Sequence, residues 1–187
     1  MKISKTIDLT HYCKQNKALE GTGSMVLDRI HKVAFASLSP RTNRVVLEDF
    51  CNKLGYRSVV FHSYDKEKLI YHSNVMMSIG TDYAVICTEA IKDETEKKTV
   101  LNELKKLGKR IIEISPEQMN HMCGNILELH AVNGEKKIIM STSAYNHFSI
   151  EQKKKLEKSG DILSFDVHTI ENIGGGGVRC MVAEIFY

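Results

Sequence analysis

The feature that most constrains this chain is a repeat. A pattern of strand, strand, helix and strand occurs three times, with a period of about 50 residues. A unit of this size cannot bury its apolar faces alone, so its neighbours must cover them. The first copy begins at Ser24 to Asp28 and returns at Val33 to Ser37. A helix from Asn43 to Leu54 follows, with Val46, Leu47, Phe50 and Leu54 at helical spacing, and Gly55 stops it. Ser58 to Phe61 closes the unit. The second copy begins at Val75 to Ile79, turns at Gly80-Thr81-Asp82 and returns at Tyr83 to Cys87. Its helix runs from Asp93 to Leu107, and Arg110 to Ile114 closes it. The third begins at Ile126 to Leu129, turns at Asn133-Gly134 and returns at Lys137 to Met140. Ser149 caps a helix to Lys158, with Gln152 as capping-box partner, and Ile162 to Phe165 follows. These units occupy roughly residues 20–62, 72–115 and 123–166 of a single 187-residue domain, and a lone terminal strand is expected over 178–187. That strand has no unit of its own, so the expectation is an α/β fold in the form of an incomplete circular array.

Composition narrows the function classes. The formal charge of +3 is small for a nucleic-acid binder, and Lys105-Lys106 and Lys153-Lys154-Lys155 fall on solvated helix faces. Five widely spaced cysteines contain no CxxC pair, which argues against a zinc ribbon or a thioredoxin-like site and suits a reducing compartment. The N-terminal Met-Lys-Ile-Ser-Lys lacks the apolar run of a signal peptide, and no segment reaches the length of a membrane span. A cytoplasmic location is the expectation, with no membrane and no nucleic-acid partner.

The polar residues just ahead of each first strand carry the chemistry. They are Glu20 with Gly21-Thr22-Gly23, His72 with Asn74, Asn125 after Gly124, and Cys180 with Arg179. Units set around an axis would turn all of these toward one centre. A thiol, an imidazole and a carboxylate meeting there are the elements of nucleophilic catalysis. Standing alone, Cys180 would read as a small core residue. The four glycines before it, Gly174 to Gly177, call for a sharp turn or a close backbone approach. Arg41, in Ser39-Pro40-Arg41-Thr42, reads equally as an exposed helix-terminal charge or as a bidentate clamp on a carboxylate.

These stretches together resemble the amidinotransferase and arginine-deiminase superfamily, the penteins, and within it the bacterial citrulline-hydrolysing branch. The motifs are Glu20 to Arg29, Leu38 to Thr42, His72 to Gly80, Gly124 to Leu129 and Gly174 to Phe186, in the family's order and with similar spacing. The resemblance implies a five-bladed α/β propeller with its active site in the central channel. It implies Cys180 as nucleophile, His72 as general acid and base, Glu20 as the carboxylate that holds guanidine or ureido nitrogens, and Arg41 as the anchor of the substrate carboxylate. Asn74 and Asn125 are expected in the substrate pocket. Asn74 stands where deiminases and amidinotransferases often carry Asp, a departure that favours a neutral ureido group, as in citrulline, over a guanidinium.

The chemistry so implied is attack by the Cys180 thiolate, protonation of the leaving amine by His72 and release of a covalent thio-intermediate by water. An amine in place of water would make the reaction an amidino transfer. No metal or organic cofactor is expected, and the partner is a small citrulline-like or arginine-like amino acid. The resemblance also implies further units ahead of Glu20. Three readings follow: a hydrolase working alone or with a separately encoded N-terminal half, a homo-oligomer in which copies complete each other's rings, or a non-catalytic remnant.

Overall fold

Each strand–strand–helix–strand stretch forms a three-stranded sheet of one topology in the computed structural model, which describes residues 6–184. The first holds β1 (Val26–Asp28), β2 (Val33–Ser37) and β3 (Arg57–Phe61), with α1 (Arg44–Leu54) as the crossover. The second holds β4 (Met77–Ile79), β5 (Tyr83–Ile86) and β6 (Arg110–Glu113), joined through α2 (Glu94–Lys106). The third holds β7 (Leu127–His130), β8 (Lys136–Ser141) and β9 (Asp161–Phe165), joined through α3 (Ile150–Glu157). In each of these three sheets a short turn pairs the first two strands antiparallel, and the helix returns the third parallel to the second. Phe35, for example, lies opposite Val26 on one side and Val59 on the other. The result is a mixed α/β fold.

Local chemistry sets the helix ends. The Asn43 side chain accepts from the Val45 N–H, and Asp93 accepts from Thr95 and Glu96. Ser149 and Gln152 cap each other's backbone N–H groups reciprocally. The apolar stripes Val46, Leu47 and Cys51 on α1, and Val100 and Leu104 on α2, face the sheets and are buried. The second sheet lies deepest: β5 is buried along its whole length, which its unbroken Tyr-Ala-Val-Ile run allows. The first two sheets are pinned by an ion pair buried at both ends, Lys109 Nζ to Asp28 Oδ2 at 2.9 Å, and the same ammonium donates to the carbonyls of Gly80 and Thr81.

The closing strands differ in what covers them. Helix α2 lies against β3, where Arg57 pairs with Glu103, and Gln152 of α3 donates to the Glu113 carbonyl at the end of β6. Strand β9 is an edge strand with Leu163 and Phe165 exposed.

Two details depart from the sequence reading. Ser24 and Val75–Met76, expected in strands, belong to helical turns at Gly21–Ser24 and Ser73–Met76. Serine hydroxyls hold those turns by bonding backbone groups directly. Ser24 Oγ accepts from the Glu20 N–H and donates to the Arg41 carbonyl, and Ser73 Oγ donates to the Ser24 carbonyl at 2.6 Å. The strand expected over 178–187 is not formed in its described part. Val178–Met181 is a 3-10 turn closed by Cys180 N–H to Gly177 O and Val182 N–H to Arg179 O, which removes those groups from any ladder. Residues 185–187 lie outside the described residues. Among the described residues, no helix is long and apolar enough to cross a membrane.

Candidate active site

The two helical turns aim the first pair of side chains. Glu20 precedes the Gly21–Ser24 turn and His72 precedes Ser73–Met76, and the Ser73 to Ser24 hydrogen bond ties one turn to the other. His72 Nε2 then meets Glu20 Oε2 at 2.7 Å. Arg41 Nη1 stands 3.6 Å from the same oxygen, and its guanidinium lies over the Tyr71 ring at 4.9 Å. Ser39 supports the arginine loop by donating to the Tyr71 carbonyl and accepting from the Arg41 N–H. Gly23 gives His72 its space, since a Cβ there would sit 2.8 Å from the imidazole Nδ1.

The glycine run brings the cysteine to the same place. A helix, α4 (His168–Gly174), ends at Gly175, whose φ of 71° favours glycine. A Cβ on Gly176 would lie 3.1 Å from the Cys180 sulfur, and one on Gly177 would lie 2.8 Å from Asn125 Oδ1. The run is therefore a close backbone approach. The sulfur itself meets amides: Asn125 Nδ2 donates to Cys180 Sγ at 3.3 Å and Asn74 Nδ2 at 3.9 Å. Asn125 Nδ2 also donates to the Asn74 carbonyl at 3.1 Å, which locks the two segments together. Both asparagines are buried, and Asn74 Oδ1 has no hydrogen-bond partner.

All six residues singled out from the sequence come together. Arg41, His72, Asn74, Asn125 and Cys180 line one cleft of about 280 Å³. Glu20, His72, Asn74 and Cys180 line the cleft beside it. The asparagines are where the geometry differs most from expectation, because their amides face the sulfur. Two contributors had gone unremarked: Tyr71, whose ring underlies Arg41 and neighbours His72, and the Ser24–Ser73 pair. Their signal was slight, a residue adjacent to a motif and two serines.

The five thiols separate by environment. Burial pushes the thiols of Cys51 and Cys87 up, and that of Cys123 up to about 12. Cys180 and Cys13 are exposed. Only Cys180 combines exposure with an imidazole, a carboxylate and a guanidinium around one cleft. Such a group can attack an electrophilic carbon, exchange protons and hold an anion. Among the described residues, no three His, Cys, Asp or Glu side chains cluster as metal ligands.

Comparison with known proteins gives three findings. The family model described as N,N dimethylarginine dimethylhydrolase, eukaryotic, matches residues 1–187. A search of curated proteins returns no match. Solved structures share the fold. ArgZ, an arginine dihydrolase from the ornithine-ammonia cycle in cyanobacteria, superposes in its apo form with a TM-score of 0.72 at 17% identity, over 91% of this chain and 26% of that one. SxtG, an amidinotransferase from Microseira wollei in the saxitoxin biosynthetic pathway, gives 0.57 at 15% identity, over 84% of this chain and 42% of that one. A dimethylarginine dimethylaminohydrolase adduct with S-methyl-L-thiocitrulline gives 0.55 at 16% identity, over 85% and 53%. The chain thus spans from about a quarter to about half the length of these three structures.

Proposed function

The chain belongs to the N,N dimethylarginine dimethylhydrolase family, within the pentein amidinotransferase and arginine deiminase superfamily, and from that premise we propose that it carries the nucleophilic side of a cysteine-dependent hydrolase. The substrate is an arginine-like amino acid bearing a guanidino or ureido group. The observation that carries this reading is the sharing of one cleft by Cys180 Sγ, held against the Asn125 amide, and the His72–Glu20 pair.

The Cys180 thiolate adds to the central carbon of the substrate group, forming a C–S bond and a tetrahedral adduct. His72 gives a proton to the departing nitrogen, the C–N bond breaks and an amine leaves, so the carbon stays on sulfur. His72, now neutral, takes a proton from water as the water oxygen attacks that carbon, and the C–S bond breaks to return the thiolate. Both protein contacts to Glu20 go to Oε2, which leaves Oε1 to accept a substrate N–H. Arg41 offers its remaining donors to the α-carboxylate. Asn125 and Asn74 hold the sulfur in line, a role the sequence reading had assigned to substrate binding.

The cleft is open on one side: the side chains of Glu20 and Arg41 are 44% and 54% exposed. In a five-bladed propeller that side is closed by further units. The test is to incubate the protein with L-arginine, N,N-dimethyl-L-arginine and L-citrulline and assay released amine, citrulline and ornithine. Turnover with at least one of the three, absent in Cys180→Ala, is expected. Turnover that survives Cys180→Ala rejects the mechanism.

A further inference from the structure

A second cavity lies at the other end of the first strands. Strands β1, β4 and β7 neighbour one another, and Glu20, His72 and Asn125 precede their starts. Where the strands end, a cavity of about 340 Å³ opens, lined by Asp28, Arg29, Thr81 and Glu128. The three residues of β1 span about 10 Å, which sets this cavity apart from the Cys180 cleft. Two of its charges are matched by acid or base: Asp28 meets Lys109 at 2.9 Å, and Arg29 meets Glu184 at 3.4 Å. Two others are not. The Glu128 side chain is 6% exposed, and its Oε1 accepts from the Thr81 N–H and hydroxyl, with His130 Nε2 at 3.8 Å. Its Oε2 has no hydrogen-bond partner. A Cβ on Gly80 would lie 2.6 Å from that oxygen, so the glycine gives the carboxylate its place. Arg179 also lines the cavity and is 9% exposed, and its Nε has no hydrogen-bond partner. Among the described residues no carboxylate lies within ion-pair distance of it; Glu184 attracts it from farther away and is shared with Arg29. Buried charges of this kind cost free energy until a counter-charge reaches them.

We infer that this cavity is a second ligand site, and that its ligand is a free α-amino acid with a short aliphatic side chain. An orphan carboxylate and an orphan guanidinium line one cavity of small-molecule size, and one zwitterion answers both without bringing a net charge. The ligand's ammonium is held by Glu128, and its carboxylate by Arg179 with Lys136, the further cation on the wall. Val26, Ile79 and Leu127 give the cavity an apolar side for the aliphatic chain. Arg179 and Thr22 line this cavity and the cleft of Glu20 and Cys180 alike, so a ligand here touches the residue next to the candidate nucleophile.

The test uses L-norvaline, which carries no guanidino or ureido group for Cys180 to attack, so turnover plays no part in it. Equilibrium dialysis of the unmutated protein is expected to show one bound equivalent. Pentanoate and pentylamine, each keeping one of the two charges, are expected to bind at least about tenfold more weakly. No binding of norvaline up to about 10 mM, or equal binding of either analogue, overturns the inference whether or not any variant folds. Glu128→Gln and Arg179→Gln, with folding checked by circular dichroism, are each expected to weaken norvaline binding at least about tenfold. Unchanged binding in either folded variant overturns the assignment. Arg41→Ala separates the two sites: binding that survives it supports the second cavity, and binding lost with it places norvaline in the Cys180 cleft and overturns the inference.

Discussion

The cleft has one buried wall and one exposed wall, and the two are built differently. The buried wall is Asn74, Asn125 and Gly177, with the Asn125 amide locked by hydrogen bonds to backbone and sulfur. The exposed wall is Glu20 and Arg41, whose mutual ion pair stands in solvent. A solvent-exposed pair of this kind contributes little to stability. The Ser24 and Ser73 hydroxyls beneath it hold the turns in place. The difference teaches that the fold holds the proposed nucleophile in a preformed place, while the side chains proposed to hold substrate stand in solvent.

Mutations sharpen this contrast. The largest effect is expected at the hinge between the walls. His72→Ala should lower kcat by about 10²–10⁴-fold with little change in thermal stability, measured by steady-state kinetics beside a melting curve. A stability loss as large as the rate loss would instead make His72 a structural residue.

Next comes the pin beneath the buried side. Asp28→Asn leaves the Lys109 ammonium buried without its partner and should cost about 3–5 kcal/mol in denaturant unfolding. Burial alone would raise the Asp28 carboxyl, but the His31 backbone N–H and Lys109 more than reverse this and hold it below the ordinary range. A depressed carboxyl contributes stability that is whole above the unfolded value, near 3.9, and lost as pH falls through the folded one. The unmutated protein should therefore lose this contribution below about pH 4. The Asn variant should lack that component of the acid transition, which urea titrations from pH 7 to pH 2 would reveal.

A smaller effect is expected within the buried wall. Asn125→Ala removes a buried amide and leaves the Asn74 carbonyl without its donor, at a cost of about 1–3 kcal/mol, together with slower Cys180 alkylation. Unchanged alkylation would mean the amide does not order the sulfur. The smallest stability effect is expected at the exposed wall. Arg41→Lys should change unfolding free energy by less than about 1 kcal/mol. It should raise KM for an α-carboxylate substrate while kcat holds, because an ammonium cannot reproduce the bidentate fork. Equal KM for the variant and the parent would remove Arg41 from substrate binding.

Much of this was legible in the sequence for identifiable reasons. Helix ends carry their own chemistry, so Asn43, Asp93 and the Ser149–Gln152 pair announced where α1, α2 and α3 begin. The Ser115–Gln118 capping box of the short Pro116–Asn120 helix was equally present and went unread. The repeat brought Glu20, His72, Asn125 and Cys180 to corresponding places, which is why their convergence could be anticipated. What could not be read depends on three-dimensional approach. Val178 to Phe186 has the apolar character of a strand, yet the Gly177 carbonyl captures the Cys180 N–H and makes a turn of its start. Nor does spacing reveal that an Asn amide points at sulfur, since that contact spans 55 residues.

The account rests most directly on the covalent step at Cys180. Rapid acid quench during turnover of a guanidino or ureido amino acid, followed by mass spectrometry of the peptide holding Cys180, measures it. The expected result is a transient adduct on Cys180, equal in mass to the substrate less its departing amine and absent from Cys180→Ala. Product formation with the Cys180 peptide unmodified at every time point would contradict the account.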